Sequence, residues 1–456
     1  MARALLARTA DLPAPGSTSC WTSLPGCAPA LALAELAATG RRLLVLATSV
    51  AQAEALEAEL RFFSPAAARI ELFPDLEVLP YDSFSPHQDL VSTRLRILRE
   101  LRSWPAGILV TAASTLLPRL APTAYLERHA VRIATGQACS LEAFQASLEQ
   151  AGYQRVSQVS AHGDYALRGS LVDFFPTGYE SPARVDFLDD SVESIRSFDP
   201  DTQLSAGPLE CIDTMPAREL PNDVESIRQF RQRYRRRFEG NPAESLIYRE
   251  VSARRLPGGV ESYLPLFFDQ TATIWDYLPA DTLVVALGDL AQLFQQAWQQ
   301  VEERHGQLGS DRERPLLRPE EVYCPPAEHL GRLGAHPVLR LDAGQEPLQA
   351  AAASNLAAAS APLLMLNPRE DEPGSRLGGF LASHGGRLLL AVESPGRREW
   401  LQDLLLRLGE PVDTVDGWAA FLASPRRVGL ATSGLEHGVV LRDAGISILG
   451  EQELFG

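Results

Sequence analysis

"GSTSCWTSLPGCAPALALAEL", residues 16–36, decides how this chain is read. It precedes a helix-like alanine- and leucine-rich run and then "RRLLVLAT" (41–48), which has the pattern of a buried strand. An α/β nucleotide-binding fold puts its phosphate loop at this place. Such a loop needs a glycine-rich turn whose N–H groups face phosphate, followed by Lys and Ser/Thr for the terminal phosphates and magnesium. Here the turn "SLPGCAP" (23–29) has one glycine, two prolines and no GK[ST] sequence. Each proline removes an N–H donor. A metal would also need an acid at the end of a buried strand, but "TLVVALGDLA" (282–291) ends in Leu287 and Gly288, with Asp289 the one acid nearby. The two failures agree. The sequence predicts a nucleotide-binding fold that is no ATPase, with no ATP, magnesium or other cofactor bound in this chain and no catalytic residue.

Around that loop, strand and helix alternate as in a doubly wound α/β sheet. "RRLLVLAT" is followed by "SVAQAEALEAELRFF", with Ala53, Leu56 and Leu60 on one helical face. "ARIELF", "LVSTRLRILREL" and "AGILVTAAS" continue the series. The texture changes near residue 129. A helix, "SLEAFQASLEQAGY", leads into closely spaced strands with turn residues between them, dense over 162–203. The expected organisation is a split α/β domain over 1–128 and 214–335, an inserted α+β domain over 129–213, and a C-terminal α/β domain over 336–456. The last begins near an alanine-rich run (350–361) and carries "RLLLAVES", "PGRREWLQDLLLRLG", "RRVGLATS" and "AGISILGE".

Composition bounds the function. At 456 residues the chain suits about three domains of ~150 residues each. No apolar run is long enough to span a bilayer, and the start has no signal-peptide pattern. Five scattered cysteines without a CxxC pair argue against zinc and against a disulfide framework, and point to a reducing cytoplasm. A formal charge of −16 disfavours broad nucleic-acid binding, although a local basic patch overrides an average. All 42 basic residues are arginine, so no compact ammonium is available where a phosphate loop would need one.

Three local patterns carry candidate chemistry. In "ARVDFLDD" (183–190), period-two alternation puts Val185 and Phe187 on the core side and Arg184, Asp186 and Leu188 on the other. Such an outer face reads either as a partner surface or as ordinary solvated charge. "DVESIRQFRQRYRRRF" (223–238) sets Phe230, Tyr234 and Phe238 four residues apart among arginines. It is either a core stripe flanked by solvated charge or a nucleic-acid helix. The Glu-His pair in "GLEHG" (434–438) reads as a solvent-facing or capping loop rather than a catalytic one.

The segments "LPYDSFSPHQD" (79–89), "HGDYALRGSLVDFFPTG" (162–178) and "ARVDFLDDSVESIRSFDPDTQ" (183–203) resemble the bacterial transcription-repair coupling factors. The resemblance continues through "GGVESYLPLFF", "VESPGRREWL" and "GEQELFG". It implies a region similar to the excision-repair helicase UvrB with a degenerate, RecA/helicase-like ATPase fold. UvrB's DNA-wedging hairpin is absent, because "PYDSFSPHQD" passes straight into a helix. It further implies an adaptor whose inserted domain binds UvrA through Arg168, Arg184, Asp186 and Leu188, with apolar and arginine contacts as anchors. The family often has phenylalanine where this chain has Leu188. RNA polymerase and DNA would be partners of further family domains, a polymerase-binding module and a DNA translocase motor, which are expected beyond residue 456. ATP and magnesium belong to that motor. A UvrB-like helicase module and a DNA-binding module are the alternative readings.

Overall fold

The computed structural model describes residues 4–342, 352–356, 358–367 and 374–456. Strands β1 (Thr18–Thr22), β2 (Arg42–Ala47), β3 (Ile70–Leu72) and β4 (Gly107–Ala112) alternate with helices α1 (Ala28–Ala37), α2 (Val50–Phe63) and α3 (Gln88–Leu101). The chain then leaves this layer for an insertion. The insertion comprises β5 (Val131–Ala134), β6 (Gln154–Arg155), β7 (Asp164–Arg168), β8 (Leu171–Phe174), β9 (Ala183–Leu188), β10 (Ser191–Phe198), β11 (Ser205–Leu209) and β12 (Cys211–Thr214). It returns as β13 (Leu283–Leu287), β14 (Val338–Leu341) and β15 (Ala352–Asn355).

The first sheet has seven strands in the order β15-β1-β14-β13-β2-β4-β3, and every pairing is parallel. A parallel sheet must be covered on both faces, which is why β2, β4 and β13 read as continuous apolar runs. Leu43, Val45, Ile108 and Val110 face α1 and α2. Leu44, Leu46 and Leu109 face α3 and the Leu290–Leu308 helix. Side-chain caps fix the helix starts: Ser49 accepts from the Gln52 amide, and Asp289 accepts from those of Ala291 and Gln292.

The insertion is closed at its base by the antiparallel pair β5–β12. Above that stem lies a six-stranded sheet, β11-β10-β9-β8-β7-β6. The Leu141–Gln150 helix drives Phe144 and Leu148 into one face, against Phe174, Val185 and Phe187. The β9–β10 hairpin turns at Asp189, whose φ of 51° is the left-handed conformation that Asp tolerates better than most residues.

A third sheet contains β16 (Ala358–Ser360), β17 (Arg387–Val392), β18 (Val412–Thr414), β19 (Val428–Thr432), β20 (Val439–Leu441) and β21 (Ile446–Leu449). Their order is β16-β20-β21-β17-β19-β18. The expected border at 335/336 does not fall between sheets. β14 and β15 both pair with β1, so residues 338–341 and 352–355 complete the first sheet. The physical reason is that β14 and β15 are the strands that pair with β1, so without them its backbone N–H and C=O groups would have no ladder partner. The alanine-rich run (350–361) is described in part, and its described strands divide between the two sheets.

No boundary of water separates the first and third sheets. Trp21, Leu24, Cys27 and the buried face of α1 share one apolar core with Leu389, Trp418, Phe421, Leu435, Val439 and Ile448. Among the described residues, no helix is long and apolar enough to cross a membrane.

Candidate functional site

The loop after β1 occupies the phosphate-loop position of the fold, and the chain itself fills it. Cys27 donates its amide to the carbonyl of His437, at 3.1 Å. A Cβ on Gly26 would run into the carbonyl oxygen of Gly438. Thus an amide that would face phosphate in a working loop faces a peptide carbonyl of the third sheet's β19–β20 connection. That connection is "GLEHG". As expected, the Glu436 and His437 side chains face solvent, while the backbone of the same loop forms an interdomain plug. Glu453 holds the plug in shape, accepting from the amides of Gly438 (2.7 Å) and Gly450 (2.9 Å).

The strand-end acid is equally committed. Asp289 caps the Leu290–Leu308 helix with its carboxylate, and Gly288 before it has a φ of 112°. Close to the plug, burial and the neighbouring Glu436 carboxylate push the Glu59 carboxyl up to about 8. Burial also drives the Cys27 thiol well above its ordinary range, so it stays a neutral core group rather than a nucleophile.

The outer face of the inserted sheet contrasts with this closure. Along β9 burial alternates: Ala183, Val185 and Phe187 are buried, Arg184 and Asp186 are intermediate, and Leu188 is 57% exposed. Cross-strand register sets the neighbours. Arg168, Leu171, Asp186 and Ser194 form one row across β7 to β10. Ala166, Asp173, Arg184 and Arg196 form the next.

Arg184 does not stand free. It grips Asp173 in a two-pronged pair, Nε–Oδ1 2.7 Å and Nη2–Oδ2 2.9 Å, and lies over the Phe198 ring at 4.9 Å. Its side chain is only 18% exposed. This corrects the picture of a guanidinium waiting for a partner's carboxylate: the fully buried Asp173 has already engaged it. Sequence alternation gives the facing of Arg184 but not the cross-strand residue opposite it. Arg168 is looser, 3.8 Å from Asp173 and 3.4 Å from the Gln203 side-chain oxygen. Asp186 accepts from Ser170 Oγ at 3.1 Å. Of the four residues, Arg168 and Leu188 offer the most surface.

The Val224–Arg237 helix resolves differently. Phe230 and Tyr234 are buried, with Phe230 against Phe267 at 4.9 Å between ring centroids. Arg237 forms a two-pronged pair with Glu321, Arg233 pairs with Asp269, and Arg228 with Glu225. The aromatic spacing is a packing stripe, and three of its arginines are neutralised within the chain.

A closed phosphate loop in a parallel sheet, with a mostly antiparallel sheet inserted, defines a class before it defines a protein. Residues 131–220 match the UvrB interaction domain family, so the chain is one of the proteins built on that module. Residues 380–454 match the MFD D3 domain family, and the chain as a whole corresponds to the UvrB-homology region, with the D3 domain, of a transcription-repair-coupling factor. It is 35% identical over 439 residues to the transcription-repair-coupling factor of Haemophilus influenzae, across 95% of this chain. It is 37% identical over 386 residues to that of Escherichia coli, across 84% of this chain. These alignments cover 38% and 33% of the two relatives, so the chain spans little more than a third of their length.

Proposed function

We propose that the chain is the adaptor portion of a transcription-repair-coupling factor, which recruits UvrA to RNA polymerase stalled at a DNA lesion. The observation that carries this reading is the outer face of the inserted sheet, where Leu188 projects uncovered from a strand whose other face is core. Protein interfaces bury an apolar centre within a polar rim. In this reading Leu188, Asp186 and Arg168 touch UvrA. Arg184 acts from one layer below, holding Asp173 so that Arg168 keeps its place.

ATP hydrolysis, and the contacts to DNA and polymerase, belong on this reading to the longer relatives' remaining length. The plugged loop and the capping role of Asp289 support an adaptor without its own ATPase. The reading predicts cytoplasmic residence, UvrA as direct partner, and competition with UvrB for it.

The test is a binding titration of the purified chain against UvrA, with UvrB as competitor. Saturable binding displaced by UvrB is expected, and its loss on the double change Asp186→Ala, Leu188→Ala. No binding, or binding indifferent to the double change, would overturn the assignment. ATP-dependent stabilisation of the chain would instead overturn the nucleotide-free part, since any ligand of the folded state raises Tm by mass action.

A further inference from the structure

Two stretches quoted above take no part in either site: "LPYDSFSPHQD" (79–89) and "GGVESYLPLFF" (258–268). In the structure they meet. The Gly259 amide donates to Ser85 Oγ at 3.3 Å, and Ser85 Oγ donates to Glu261 at 2.9 Å. A Cβ on Gly258 or Gly259 would collide with the carbonyls of Ser83 and Asp82, so the loops approach as closely as backbone allows.

Their junction walls a cavity of about 290 Å³. It is lined by Asp75, Ser114 and Thr115, which follow the ends of β3 and β4, and by Val50 after β2. The connection after β2 packs with α1 and α2 on one face, whereas Leu116 and Leu117 after β4 join the core on the other. Crevices of this kind, at the carboxyl ends of neighbouring parallel strands whose connections diverge, are where open α/β sheets bind ligands. The phosphate loop lies on the same edge of the sheet but is plugged; this cavity is not.

The lining combines two chemistries. Leu76, Leu117, Leu264, Val301 and Val322 supply apolar wall. Asp75, Asp82, Glu219 and Glu261 supply carboxylates. The one lining arginine, Arg119, is spent elsewhere, on Glu328 at 2.8 Å and on the Glu320 carbonyl. Asp75 accepts from Thr115 at 2.8 Å. Glu219 is only 9% exposed, and its Oε1 accepts no hydrogen bond. The buried Arg94 stands behind it and forms an ion pair with that oxygen at 3.6 Å, so Glu219 is already matched from within. Glu261 has Ser85 as a neutral donor, while Arg218 offsets its charge from farther away. Burial nonetheless holds its carboxyl above the usual range. At the mouth Phe84 is 73% exposed, an aromatic face beside acids.

We propose that this cavity is a binding site for an organic cation with an apolar body, the charge lying against Glu261 and the body against Leu264, Leu117 and Val301. Phe84 would close over the cation's outer side, since an aromatic ring face attracts positive charge. A carboxylate ligand would meet like charge, and a neutral one would lack the attraction to Glu261.

The experiment titrates the intact chain with 4-phenylbutylamine, using 4-phenylbutyrate and 4-phenylbutanol as matched probes. For a small probe the amine is expected to bind at roughly millimolar Kd, with the other two about tenfold weaker or absent. Glu261→Gln should remove the preference for the amine with Tm nearly unchanged. Ala297→Phe, which fills the half-buried wall, should abolish binding of the amine. Equal binding of all three probes, no binding of the amine, or amine binding that survives Ala297→Phe would each overturn the proposal.

Discussion

The loop after β1 and the outer face of the inserted sheet are two surfaces of one chain that have moved in opposite directions. The loop has the position of a ligand site, yet its Cys27 amide is satisfied by the His437 carbonyl and its glycine is pressed against Gly438. The sheet face instead leaves Leu188 in solvent, on the same side of β9 as Asp186. The difference teaches that the place a fold offers for a ligand is not by itself a binding site. What decides it is which polar groups are still without an internal partner, and which apolar groups are still uncovered.

That comparison can be broken at several points. The largest effect is expected at the plug. Gly26→Ala puts a methyl group into the Gly438 carbonyl at a φ of 56°, and should cost about 4 kcal/mol, read by chemical denaturation. A cost below about 1 kcal/mol would show that the third sheet is only loosely seated on the loop. Phe187→Ala should cost about 3 kcal/mol in the insertion through the cavity left beside Phe144. UvrA binding would then fall only as the insertion unfolds.

Next comes a pH dependence. Glu59 takes up a proton when the plug is seated, because its carboxyl lies at about 8 there against an ordinary 4.5. A raised carboxyl favours the seated form fully below its ordinary value and loses that contribution as pH rises towards 8. Relative to Glu59→Gln, the native chain should therefore lose about 2 kcal/mol of stability between pH 6 and pH 8. Parallel stability curves for the two would show that Glu59 is solvated like a surface acid.

The smallest effects separate the residues of the open face. Arg184→Ala leaves Asp173 buried beside only the distant Arg168 and should cost about 1.5 kcal/mol of stability. Leu188→Ala should cost less than about 0.5 kcal/mol in folding, yet weaken UvrA binding by about 1 kcal/mol. If Leu188→Ala melted the insertion while Arg184→Ala did not, the contrast between an engaged arginine and a free leucine would be wrong.

Much of this was legible in the sequence, and the reason is periodicity. "RLLVLA" marks a strand buried on both faces, "ARVDFL" separates Phe187 from Leu188, and Phe230 and Tyr234 recur at helical spacing because each is buried by one face of its helix. The missing donors in "SLPGCAP" could be counted directly. What could not be read were pairings fixed by register or by distant chain. Asp173 lies opposite Arg184 only because β8 and β9 pair as they do. Nothing near Cys27 announces His437. The place of β14 and β15 beside β1 also follows from sheet completion, not from any feature of residues 338–355 themselves.

The same placement sets an order of assembly. β1 is made first among the strands of its sheet, but both of its neighbours there, Val338–Leu341 and Ala352–Asn355, are made last. At ~5–20 residues per second, the nascent strand waits roughly 15–60 s for them. The insertion has no such delay, because its stem closes between Val131–Ala134 and Cys211–Thr214. During synthesis the inserted sheet is therefore complete while the layer that carries it is still half built, and β1 with its Trp21 must be sheltered in the meantime.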